Sequence, residues 1–163
     1  MSTVFSTINP TEFMTGWLGT LTHFFIRDIE AIPADKLGVS PGGKARSPQS
    51  IAGEVISLLD WMTETLKGGS SPAAEGDAAE KLAATLTTPA VIAARMQEAS
   101  ASLKAAIESA PDEIWTKMVL PPWQLEAPCF VITNIVINHI WYHDGQLNTI
   151  HMLSGDEKVH WME

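Results

Sequence analysis

The stretch PCFVITNIVINHIWYHDGQLNTIHMLSG, residues 128–155, decides how the chain folds. Pro128 suits a helix start and Gly155 a helix stop, so the span predicts one long helix to about Ser154. It is apolar on nearly every side, which places such a helix at the centre of its domain or beneath another subunit. Within it, HIWYHDGQL, residues 139–147, sets two histidines four positions apart. Residues at that spacing lie about 40° apart around a helix axis, so His139 and His143 project side by side. They read either as hydrogen-bonded polar side chains tolerated by a core or as two ligands of one metal ion.

Three other helices precede this one. Asn9-Pro10-Thr11-Glu12 predicts a capped start, with Glu12 placed to reach back to the cap amide, and a helix from about Pro10 to Ile32. Ser47-Pro48 opens a second, whose stripe of Ile51, Val55, Leu58, Leu59 and Met62 faces the core until Gly68-Gly69 ends it near Lys67. GGSSPAAEGD, residues 68–77, reads as a flexible loop, and the alanine-rich stretch after it as a turn or two of helix. Thr88-Pro89 opens the next long helix, with Val91, Met96, Leu103 and Ile107 inward and SAPDE, residues 109–113, closing it. WTKMVLPPWQLEA, residues 115–127, holds adjacent prolines and predicts an extended crossover. Four long helices, no strand and one long crossover before the last helix describe an all-α four-helix bundle.

The 163 residues suit a single domain spanning 1–163, with a short C-terminal tail over about 156–163 that is free to move. Ten lysines and arginines against nineteen acidic residues leave a net charge of −9, which repels nucleic acid and anionic membranes. The nearest basic cluster, Lys44 and Arg46, is too small to reverse that. The lone Cys129 excludes an intrachain disulfide framework and a cysteine-rich zinc site. Its ten-residue separation from His139 argues against a nucleophile at the same site. MSTVFSTINPTEF at the start lacks a basic region followed by a long apolar run, and the apolar stretch from Pro128 to Ile140 is too broken to span a bilayer. A cytoplasmic location follows as the expectation.

A third ligand must come from another helix, and Glu54 is the candidate. It shares the apolar stripe of the second helix, where a carboxylate costs several kcal/mol unless paired, protonated or metal-bound. The competing reading puts Glu54 at the stripe's edge, in reach of water or a hydroxyl. Tyr142 and Gln146 lie three residues from His139 and His143, in range of hydrogen bonds behind the ligands. Trp61, Trp123 and Trp141 either wall a pocket or fill the core. His23 reads as structural, and His151, about 80° around the helix from His143, as outside this site.

RSPQSIAGEV, residues 46–55, and NHIWYHDGQLNTI, residues 138–150, together with the capped first helix and the proline-rich crossover, resemble the DinB-like superfamily with its YfiT-type metalloenzymes. The family's last helix reads His-x-x-x-His-Arg-Gly-Gln-Leu, matched by His139, His143, Gly145, Gln146 and Leu147. Its usual third ligand is a histidine of the second helix, and that place falls at or beside Glu54. Asp144 stands where the family has arginine, which removes a cation beside the site. Two histidines and a carboxylate remain a competent ligand set.

The resemblance implies a divalent-metal site, with zinc or nickel ahead of iron or manganese, and an enzyme that activates a low-molecular-weight thiol or water against a small electrophilic substrate. It also implies a homodimer, an expectation shared with the all-round apolar last helix. The alternative is a non-catalytic, stress-related dimeric bundle that keeps a degenerate site.

Overall fold

Polar caps ahead of prolines set three of the helix starts. Asn9 accepts from the amides of Thr11 and Glu12 and opens α1, Pro10–Ala31; among the described residues Glu12 makes no return bond to the cap. The Ser47 hydroxyl accepts from the Ser50 amide to open α2, Pro48–Leu66. Thr88 caps Val91 to open α4, Pro89–Ser109. The computed structural model describes residues 9–69 and 76–162. Most of the loop expected over 68–77 therefore lies outside the described residues, as does the end of the tail.

The alanine-rich stretch forms α3, Ala78–Thr85, an eight-residue helix on the outside of α2. Gly53 makes that contact possible. A Cβ there would lie 2.6 Å from the Ala79 carbonyl and 2.7 Å from the Ala83 Cβ, closer than a methyl group can approach.

The last helix, α5, runs Cys129–Leu153. Its start has no side-chain cap; Lys117 and Trp115 of the crossover offer carbonyls to the amides of Cys129 and Phe130 instead, at 2.8 and 3.0 Å. That docking zips the crossover into a two-residue antiparallel ladder, Met118–Val119 (β1) with Ala127–Pro128 (β2). Periodicity shows no strand here, because the ladder is imposed by the helix start and not by a β pattern. At the other end, Gly155 takes the left-handed conformation (φ 86°) and the Asp156 amide bonds back to the His151 carbonyl, closing a Schellman turn.

The four long helices pack in a ring, α1 against α4 and α5, and α2 against α4 and α5. The all-α four-helix bundle expected from the pattern is therefore the fold. Its centre is filled by Leu21 and Phe25 of α1, Val55 and Leu59 of α2, Ile92, Met96 and Leu103 of α4, and Val136 and Ile140 of α5. On α4 the inward residue is Ile92 and not Val91, which is exposed. With Pro89 at the first position, the 92, 96, 99, 103 row faces the core and 91 sits one residue off it. No helix among the described residues is long and apolar enough to cross a membrane.

The tail does not swing free. It folds back over α1, with His160 buried and Trp161 stacked on Phe24 at a centroid distance of 4.5 Å. Sequence alone offers no sign of this, since the aromatic partner lies more than a hundred residues away.

Candidate metal centre

Of the four seams in the ring, that between α2 and α5 is the most open, and Glu54 faces His139 and His143 across it. His139 Nε2 lies 3.1 Å from Glu54 Oε1 and 2.9 Å from His143 Nε2; His143 Nε2 is 3.6 Å from the same carboxylate oxygen. Three ligand-type atoms thus converge on one point. The two rings meet edge to face, 4.4 Å between centroids.

His143 and Glu54 are held from behind. His143 Nδ1 lies 2.8 Å from Gln146 Oε1, an acceptor, which assigns the proton to Nδ1 and leaves a lone pair on Nε2. A proton on His139 Nε2 then serves both Glu54 Oε1 and His143 Nε2. Glu54 Oε2 is ion-paired with Arg46, whose guanidinium also donates to the Ser50 carbonyl at 3.0 Å. Oε1 is left facing the histidines. Burial pushes both imidazoles down to about 4, with His143 and Arg46 adding to the effect on His139, and Gln146 opposing it on His143. Both rings are neutral at pH 7, the form that binds a metal. Two neutral imidazoles and a monodentate carboxylate suit a divalent first-row ion with a coordination position to spare.

A cavity of about 650 Å³ opens beside the triad. Glu54, His139 and Arg46 form its polar wall, and Trp123, Pro122 and Ile135 its apolar one. Trp61, buried, backs Trp123 at 6.2 Å, so one tryptophan lines the pocket and its neighbour is core. Trp141 lies elsewhere, among Trp17, Phe24 and Trp161.

Some residues lie elsewhere than their spacing predicts. Gln146 takes the position behind His143, but Tyr142 is 62% exposed and meets His139 with its ring, 5.9 Å away and nearly parallel. Among the described residues its hydroxyl makes no hydrogen bond, because the side chain leans out of the seam. Asp144 does not deprive the site of a cation, since Arg46 supplies one from the loop before α2. Asp144 itself turns toward α1 and meets Asp28, both fully buried. Burial first, and then the neighbouring Asp28 carboxyl, push Asp144 up to about 8. Asp28 is raised too, by burial, against the pull of His151. Asp28 Oδ1 and Asp144 Oδ1 are buried without a hydrogen-bond partner among the described residues, and a carboxyl proton kept on one of the pair is the donor that would satisfy them. His23 is exposed, and His151 points away from the triad toward the Asp28 carbonyl, 2.9 Å from its Nε2. Cys129 is fully buried and its thiol pushed up by that burial, which makes it inert.

No protein-family model matches the chain, and no curated protein matches it. Solved structures do. The chain is similar to the mycothiol-dependent maleylpyruvate isomerase, with 17% identity and a TM-score of 0.65. It is similar to a histidine-to-alanine mutant of that enzyme at 19% identity and a TM-score of 0.64. In both cases 89% of this chain is covered and 63% of the other, so the chain spans less than two thirds of the length of its structural neighbours. At such identities the likeness is one of fold alone.

Proposed function

We propose that the chain is a divalent-metal-dependent enzyme in which Glu54, His139 and His143 hold the ion and a low-molecular-weight thiol or water is activated against a small electrophilic substrate. The convergence of one carboxylate oxygen and two neutral imidazole nitrogens at the wall of a cavity is the observation that carries this reading. A divalent ion at that point supplies the positive charge that lowers the pKa of a thiol or water. The chain's own residues do the rest. Arg46 fixes Glu54 through Oε2, Gln146 fixes the His143 tautomer, and Trp123 and Ile135 exclude bulk water from one side of the pocket. The neighbours' dependence on mycothiol, taken from their names, favours a thiol over water as the nucleophile. Zinc or nickel suits this donor set best, with iron or manganese next.

The experiment loads the protein with cobalt(II) as a spectroscopic stand-in and titrates a small thiol such as cysteine. A thiolate-to-cobalt charge-transfer band that is absent from His143→Ala is the expected result. A cobalt spectrum unmoved by thiol would remove thiol activation from the proposal.

One observation favours the second reading, a non-catalytic bundle with a degenerate site. Arg46 already neutralises Glu54, so the half-buried carboxylate needs no metal to stay in the seam. In either case a homodimer is proposed. α5 presents Phe130, Val131 and Ile135 to solvent as a contiguous apolar face, each at least 40% exposed. Sedimentation equilibrium should give twice the chain mass, and Ile135→Lys should return it to one; a wild-type monomer at micromolar concentration would exclude the dimer.

A further inference from the structure

A second set of metal-ligating side chains lies two turns beyond His143, at the end of α5. The Schellman turn at Gly155 carries Asp156 back over His151, and the short turn His160–Met162 brings His160 onto the same spot. Asp156 Oδ2 is 3.0 Å from His160 Nε2 and 3.9 Å from His151 Nδ1, and the imidazole centroids are 4.7 Å apart. The three ligand atoms lie within 4.8 Å of one another. Bonds of about 2.0–2.1 Å to a tetrahedral ion put ligand atoms about 3.3 Å apart, a value these separations bracket.

The orientation of His151 is the independent observation. Its Nε2 lies 2.9 Å from the Asp28 carbonyl, which can only accept, so the proton sits on Nε2. The other ring nitrogen, Nδ1, faces Asp156 Oδ2 at 3.9 Å, too far for a hydrogen bond. A backbone carbonyl behind one ring nitrogen with the other left bare is how metal-binding histidines are held. Access is provided as well. A cleft of about 500 Å³ between the connection after α1 and the end of α5 is lined by His151 and Asp156 together with the exposed Lys36 and Ser40.

We propose that His151, Asp156 and His160 form a second binding site for a divalent transition-metal ion, one that fastens residues 154–162 to α5 and α1. The site is structural in kind. His151 is anchored to α1 through the Asp28 carbonyl, His160 belongs to the returning tail, and a shared ion would tie the two. The donors are two imidazoles and one carboxylate, the class that takes zinc, copper or nickel in preference to calcium or magnesium.

The test is bound zinc per chain after dialysis against micromolar zinc chloride. The His139→Ala/His143→Ala double variant should retain one zinc, and that zinc should raise its Tm. Adding Asp156→Asn or His160→Ala to the double variant should weaken the remaining zinc by at least about 100-fold and remove the thermal shift. Asp156→Asn preserves size at a partly exposed position, so a folded comparison exists even if His160→Ala is unstable. A double variant that binds no zinc, or one whose zinc is indifferent to Asp156→Asn, overturns the proposal. If wild-type protein binds a single zinc that is lost with Asp156→Asn and kept in the double variant, this site stands and the triad on α2 and α5 falls.

Discussion

Replacing His143 with alanine should abolish metal binding at the α2–α5 seam. The variant loses one of three ligands and the only one that is almost fully buried, so affinity for zinc should drop by well over the ~10–100-fold expected when a group behind a ligand is lost. Gln146→Ala calibrates that scale. It leaves all three ligand atoms in place and removes only the acceptor of the His143 Nδ1 proton, so its loss should fall within the ~10–100-fold range. Competition against a chromophoric chelator measures both, with circular dichroism to show that each variant keeps its helices. Equal affinities for wild type and His143→Ala would mean that the imidazole is not a ligand.

The second large effect is on stability against pH. Asp144 keeps its proton in the folded protein up to about pH 8, whereas in the unfolded chain it loses it near 3.8. Between those values folding takes up a proton, so this group's contribution falls as pH rises, by up to about 1.4 kcal/mol per pH unit, and levels off above the folded value. His139 and His143 act in the opposite direction. Their folded values of about 4 lie below the ordinary imidazole value of 6.5, so their contribution is present above that value and is lost as pH falls toward 4. In the window from about 6.5 to 8 the two triad histidines add no slope, whereas Asp144 does. Over it, the free energy of urea unfolding should decline for the wild type and stay nearly level for Asp144→Asn, which offers an amide donor in place of the shared proton. Parallel profiles for the two proteins would mean that Asp144 is already ionised in the fold.

Much of the bundle was legible because its signals are local. Each Ser, Thr or Asn before a proline marks a helix start within a residue of where it occurs, and the stripe of Ile51, Val55 and Leu59 needs only helical spacing to be recognised. The facing of His139 and His143 is local in the same way, and Glu54 stood out as a charge on an apolar stripe. What could not be read depends on distant parts of the chain. Arg46 belongs to a loop whose path back over Glu54 leaves no periodic trace, so a site cation passed for a weak basic cluster. Asp28 and Asp144 look like ordinary helix-surface acids until α1 and α5 are packed together. The tail reads as mobile because nothing near it in sequence shows that Phe24 awaits Trp161 and His151 awaits His160.

A crystal grown with zinc and measured on both sides of the zinc absorption edge tests the metal centre most directly. An anomalous peak within about 2.0–2.2 Å of Glu54 Oε1, His139 Nε2 and His143 Nε2 is the predicted result. Electron density that shows the two imidazoles hydrogen-bonded to each other and no anomalous signal between them and Glu54 Oε1, at saturating zinc, would contradict it.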